Sequence, residues 1–224
     1  MRSKKKAFSW QGLVALIFLP LGIIGFLWAF IPPASETITL QLQEIRVPVG
    51  DETFALLQES YKIVIETPKT VKAGSQFGYT FELQQSDLPV NITDQDVDIN
   101  EYYQLNLMLE PAFENTTINP PGSVATAILP GQEPAMIWKM EPTDKETITG
   151  IFWATVDFVP IKDGVEPSST ALLARKLNIP VQTILGMNTD TITIFATVFC
   201  VTAIFLGLPQ LPFFKGESDV KRKK

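Results

Sequence analysis

Two charge-free apolar segments lie near the ends of this 224-residue chain, and each is bordered on its outer side by a basic cluster. Arg2, Lys4, Lys5 and Lys6 precede the uncharged stretch 7–35, and Lys215, Lys221, Arg222, Lys223 and Lys224 follow the stretch 191–214. At a helical rise of about 1.5 Å per residue, residues 13–31 cover nearly the whole ~30 Å hydrocarbon core of a bilayer. An excess of Lys and Arg marks the cytoplasmic side of a span. The pattern predicts a membrane hairpin: a basic tail at 1–6, a transmembrane helix at 7–31, an extracytoplasmic domain at 32–183, a second transmembrane helix at 187–214 and a basic tail at 215–224. Both termini are then cytoplasmic, and the lipid bilayer of a plasma (inner) membrane is the first partner.

Two other readings of these segments fit less well. A cleaved signal peptide has an apolar run of about 7–15 residues and a small-x-small cleavage site, whereas this run is longer and is followed by Ile31-Pro32-Pro33-Ala34. A buried helix of a soluble domain would not account for the basic residues beyond 214. Rings at Phe8, Trp10, Trp28 and Phe30 suit the headgroup levels, and Pro20 is expected to kink the first span. In the second span Thr191, Thr193, Thr197 and Thr202 can bond back to carbonyls one turn earlier. Thr193, Ala196, Cys200, Ala203 and Gly207 fall on one stripe of that helix, and Gly12, Ala15, Gly22 and Gly25 offer small positions on the first. Small residues let helix backbones approach closely in lipid, so this stripe is the candidate helix-packing surface. Alanine and glycine are also simply common in spans.

The central domain carries 21 acidic and 9 basic residues, a net charge of −12 that the overall −6 conceals. Such a surface repels nucleic acid and anionic headgroups, leaving cations and basic protein surfaces as compatible partners. The lone Cys200 lies in the second span, so the domain holds no disulfide and must be stabilised by packing. A disulfide-free exterior fits a prokaryotic surface. Histidine is absent from the whole chain, which excludes Ser-His-Asp and Cys-His catalysis and the usual zinc sites. No phosphate loop or nucleophile elbow is present either, and no organic cofactor is indicated.

Between the spans the periodicity is that of strands. Residues 37–47 alternate until the spacing slips by one, as in a bulged or twisted strand. Phe77, Tyr79, Phe81 and Leu83 share a face, residues 103–110 alternate up to Pro111, and 135–140 and 147–158 are further strands joined by a turn at 142–145. Segment 168–177 reads as the last strand, with a short capped helix as the alternative. Fourteen of 17 prolines fall in this domain, which disfavours long helices there. From 61 to 181 the succession of Tyr61-Lys62-Ile63-Val64-Ile65, the Ala73-Gly74 corner, the Trp138 strand, the polar turn and the Gly150 strand resembles bacterial and archaeal membrane-anchored immunoglobulin-like domains, without the inter-sheet cysteines of antibody domains. That resemblance implies an all-β ectodomain, an immunoglobulin-like two-sheet sandwich of five to nine strands between two transmembrane α-helices, and a binding or architectural role.

One segment concentrates hard oxygen ligands. Asp94, Asp96, Asp98, Asn100 and Glu101 form a candidate calcium site, since calcium takes six to eight oxygens at about 2.3–2.6 Å. It is no EF-hand, for Ile99 stands at the turn-glycine position and Leu105 where the bidentate glutamate belongs. The competing reading is a solvated acidic loop. The expected function is non-enzymatic: a two-span protein whose ectodomain binds or scaffolds a membrane or extracytoplasmic partner protein, as an accessory subunit. The alternative is a surface carbohydrate-binding or adhesive module, for which Trp138, Trp153, Tyr102 and Tyr103 are the available rings.

Overall fold

A computed structural model describes residues 10–50, 53–144 and 146–207. The chain divides into two compact units, one of residues 33–182 and one of the two terminal segments. The basic tails and Leu208 lie outside the described residues.

The terminal unit consists of α1 (Trp10–Phe30) and α2 (Thr189–Gly207), both long and apolar enough to cross a membrane. Pro20 lies inside α1 without ending it. Asn188 starts α2 by accepting from the Thr191 N–H at 2.9 Å, and Thr193 and Thr197 donate to the carbonyls of Thr189 and Thr193 at 2.8 Å each. Those bonds satisfy the hydroxyls within the helix, which is how threonine is tolerated in an apolar span.

The central unit is β-rich. Its strands are β1 (Ser35–Gln41), β2 (Arg46–Pro48), β3 (Phe54–Leu56), β4 (Tyr61–Pro68), β5 (Val71–Lys72), β6 (Phe77–Gln85), β7 (Asp96–Asp98), β8 (Tyr103–Phe113), β9 (Thr116–Asn119), β10 (Val124–Ile128), β11 (Ala135–Pro142), β12 (Ile148–Pro160), β13 (Ser168–Ile179) and β14 (Val181–Gln182). A five-stranded sheet has the order β1-β4-β6-β11-β9, and a four-stranded sheet the order β10-β8-β12-β13. A small sheet β2-β3-β7 and a parallel pair β14-β5 complete the set among the described residues. The two large sheets bury one face each. Ile63, Ile65, Tyr79, Phe81 and Trp138 from the first join Leu105, Leu107, Phe152, Val156 and Phe158 from the second in one core. At its centre the Phe152 ring lies 5.0 Å from Tyr79, 5.5 Å from Trp138 and 5.6 Å from Phe81. Burial pushes the Tyr79 phenol above its ordinary range.

Three local differences from the sequence pattern have physical reasons. The slip within 37–47 is a strand break: β1 ends at Gln41 and the chain re-pairs as β2 in the small sheet, with the Leu57 N–H bonded to the Ile45 carbonyl at 3.0 Å. Pro111 does not end β8, because β10 pairs only with residues 105–109 and the missing N–H of Pro111 falls beyond that ladder. The connector around Pro120 and Pro121 is flanked by two short strands, β9 and β10, and carries the chain from one large sheet to the other.

Candidate functional site

The acidic segment is more ordered than a solvated loop. Asp96–Asp98 is β7, paired in parallel with β3, and Ile99–Glu101 is a turn of 3-10 helix whose Ile99 is fully buried. Asp96, Asp98 and Glu101 each meet a different partner. Asp96 Oδ2 accepts from the Thr93 N–H and hydroxyl, both at 2.7 Å, and from Arg46 at 3.1 Å. Asp98 accepts from the backbone N–H and side-chain amide of Asn100, at 2.9 and 3.0 Å, capping the 3-10 turn. Glu101 lies 3.6 Å from Lys162, whose ammonium sits 3.7 Å from the centroid of the Tyr102 ring. Asp94 is exposed. Among the described residues no three acidic side chains converge on a common point.

Arg46, which the sequence pattern did not single out, organises this corner by also donating to the Asn91 carbonyl at 3.0 Å. The two Thr93 donors, with Arg46 close by, hold the Asp96 carboxyl below the usual carboxylate range. A depressed acid contributes stability that is present above its unfolded pKa, about 3.9, and is lost as the pH falls through the folded value. Asp96→Asn is therefore expected to lower the Tm at pH 7 and to leave it unchanged in strong acid. Melting curves of the two proteins across pH check this, and a constant offset at every pH would overturn it.

Of the five stripe positions on α2, Ala196, Cys200 and Gly207 come close to residues of α1. Ala196 and Ala203 are buried, as is Gly22 of α1. A Cβ at Gly22 would lie 2.4 Å from Cys200 Sγ and 2.9 Å from the Ala196 carbonyl oxygen, and one at Gly25 would lie 3.0 Å from Ala196 Cβ. At Gly207 the neighbour is Ala15, 3.7 Å away, and Thr193 is occupied by its bond to Thr189. Phe18 and Phe199 meet beside these positions with ring centroids 4.9 Å apart.

The third feature is the outer face of the four-stranded sheet. In β12 the residues Phe152, Ala154, Val156 and Phe158 point into the core, so Ile151 and Trp153 point out, 37% and 41% exposed. Trp153 is flanked by Ala174 of β13 and Glu110 of β8, and Ile151 by Lys176 and Ala112. One step along, Thr155 sits between Ala171 and Met108, and Met108 pairs with Ala125 of β10. The indole therefore stands between Ala174 on one side and the Glu110 side chain on the other, with the small residues Ala112, Ala171 and Ala125 further along the face. Of the other rings considered for surface recognition, Trp138 and Tyr103 are buried, and Tyr102 is half-buried under Lys162.

No protein-family model and no curated protein matches the chain. Among solved structures it is similar to a chain of the human seminal-plasma complex between zinc 2-glycoprotein and prolactin-inducible protein, at 8% identity and a TM-score of 0.27, covering 65% of this chain and 97% of that one. It is also similar to the putative ApaA protein of Bordetella pertussis, at 11% identity and a TM-score of 0.21, covering 67% and 98%.

Proposed function

We propose that the chain is a non-enzymatic, two-span membrane protein whose extracytoplasmic domain is immunoglobulin-like and binds or scaffolds a partner protein, as an accessory subunit of a prokaryotic membrane assembly. The strand order supports the fold part of this reading. β4-β6-β11 follows the A-B-E succession of such sandwiches and β8-β12-β13 follows C-F-G, while β9 and β10 stand at the D and C′ edges in the reverse of the usual chain order. The domain departs from the antibody pattern in lacking cysteines and in carrying its buried Trp138 on β11 rather than on β8.

The observation that carries the function is the outward Trp153, 41% exposed on a sheet face that carries Ala174, Ala112, Ala171 and Ala125 together with Glu110 and Lys176. A large amphipathic ring with small side chains near it and charged side chains at its rim is the composition of an interface centre. Trp153 is absent from the buried core, so Trp153→Ala is expected to change the folding stability by no more than about 1 kcal/mol while abolishing partner binding. A photo-reactive phenylalanine analogue at 153 should give a protein adduct in native membranes. The same analogue at Lys139, on the other large sheet, should give none. Loss of binding to surface polysaccharide instead of to a protein would favour the carbohydrate-binding alternative, for which the exposed ring is also suited.

The topology has its own test. With both basic tails inside, a reporter fused after Leu83 is expected to be active only if it is of the kind that works outside the cytoplasm. Activity of a cytoplasmic reporter at that point would overturn the hairpin.

A further inference from the structure

We propose that the cleft at the end of the five-stranded sheet where β1 finishes and β4 begins is a lysine-accepting pocket, which takes the side chain of a lysine presented by the extracytoplasmic partner. The stem lies on apolar walls and the ammonium meets Glu59. The inference rests on the partner-binding reading above and names one group by which that partner is recognised.

The cleft encloses about 100 Å³, room for one long side chain, and lies where three connections meet: β1 to β2, β3 to β4, and the segment after β6. Leu42, Ile45, Leu57 and Val90 give it apolar walls, and Tyr61 is buried behind them. Hydrogen bonds fix those walls. The Ser60 hydroxyl reaches the Ser86 and Leu88 carbonyls at 2.7 and 2.6 Å, and the Ser86 N–H bonds to the Ser60 carbonyl at 2.8 Å. The Leu42 N–H bonds to the Tyr61 carbonyl at 3.0 Å. A pocket formed before binding loses little entropy when it is filled.

Its polar group is set in the same way. Glu59 lines the cleft, and its Oε2 accepts from the Tyr61 hydroxyl and from the Gly131 N–H, the latter at 3.4 Å. Burial first, then the bond to Glu59 and the charges of Glu59 and Glu133, push the Tyr61 phenol up, so it stays protonated and keeps donating. Glu59 Oε1 accepts no hydrogen bond among the described residues. Glu44 also lines the cleft, whereas no Lys or Arg does. Arg46 is drawn to Asp96 at 3.1 Å and reaches Glu44 only at 3.8 Å, and Lys62 follows Tyr61 on the opposite face of β4.

The occupant follows from these groups. An apolar stem that ends in a positive charge matches apolar walls and a carboxylate, and lysine covers apolar surface with its methylenes while its head stays polar. The domain's net charge of −12 draws such a partner and repels a second copy. Arginine suits the cleft less. Its planar fork seeks both oxygens of a carboxylate, and one oxygen of Glu59 is already taken, whereas an ammonium binds as a point charge.

The test uses the full chain in lipid nanodiscs with methyl-labelled Ile, Leu and Val. Nα-acetyl-lysine methylamide is expected to shift the methyl resonances of Leu42, Ile45, Leu57 and Val90 saturably, leaving those of Leu107 and Val156 in the core unchanged. Its Nε-acetyl derivative keeps the stem without the charge, and ammonium chloride keeps the charge without the stem. Each should bind more weakly by about fivefold or more, and the arginine counterpart should also bind more weakly. Glu59→Gln should weaken the lysine probe by about fivefold, the upper range for an exposed ion pair, whereas Asp163→Asn, at an exposed acid outside the cleft, should not. Equal binding of any control probe, equal weakening by the two variants, or shifts spread over the whole domain overturns the inference. So do cleft shifts that grow with protein concentration alone, since those report self-association. The probe series on the unaltered chain decides even where Glu59→Gln fails to fold. Trp153→Ala is expected to leave probe binding unchanged, so failure of the cleft and failure of the sheet-face interface are read separately.

Discussion

Gly150→Val is expected to destabilise the protein by about 3 kcal/mol or more, at the upper end for overpacking, because the space a side chain would need is filled by backbone. A Cβ at this position would lie 2.4 Å from the Ala112 carbonyl oxygen, 2.4 Å from Phe113 Cδ1 and 2.7 Å from Phe113 Cα. Gly150 sits opposite Phe113 in the β12–β8 ladder, which is one of the two longest in the domain. Relief would require the central pair of the four-stranded sheet to separate. Gly78→Val is the matched control, for nothing lies within 4 Å of its Cβ and β6 accepts a β-branched residue there. That change is expected to be neutral or stabilising, since glycine in a strand costs backbone entropy. Thermal or denaturant unfolding of the detergent-solubilised chain compares them. Equal stability of the two variants would mean that β8 and β12 do not approach as described.

The second large effect concerns the helix pair. Gly22→Cys is expected to form an intrachain disulfide with Cys200 on mild oxidation in membranes, visible as a mobility shift that reductant reverses. The position at which a Cβ would stand lies 2.4 Å from Cys200 Sγ, so the two Cβ atoms fall within the roughly 3.5–4.5 Å that a disulfide requires once the helices give slightly. Ile24→Cys, at a position 58% exposed on the same helix, should not close. If both variants crosslink equally, or neither does, α1 and α2 do not meet at Gly22. Gly22→Leu in the same assay, with Gly25→Cys and Ala196→Cys as the reporter pair because a Cβ at Gly25 would lie 3.0 Å from Ala196 Cβ, should abolish the crosslink, since association in lipid depends on close packing that only small side chains permit.

The two apolar segments were readable because a span is defined by length and absence of charge, which are properties of sequence alone. Strands β4, β6, β8 and β12 were readable for a similar reason: each alternates over many residues, and a sheet with one dry face requires that alternation. Alternation, however, does not say which face is dry. In β11 Lys139 settles it and turns Trp138 inward, but in β12 Ile151 and Trp153 are themselves apolar, and only the larger set Phe152, Ala154, Val156 and Phe158 decides the direction. The short pieces left no periodicity to find. β5, β7 and β14 are two or three residues long and pair in parallel with distant segments, so their order comes from tertiary contacts that the local sequence does not encode. For the acidic segment, spacing showed the carboxylates but not their partners. Arg46 lies 50 residues from Asp96, and nothing local links them.

The corner at 68–72 holds both ends of the β-rich unit. The Lys69 N–H bonds to the Ala34 carbonyl at 2.9 Å where the chain enters, and the Val71 and Ala73 N–H groups bond to the Pro180 and Gln182 carbonyls at 3.0 Å where it leaves. β1 lies along β4 and β14 along β5, so both connections are anchored on one short stretch of chain. Tension applied between the two ends of the unit is therefore carried by this corner first, through a handful of bonds, while the aromatic core stays unloaded.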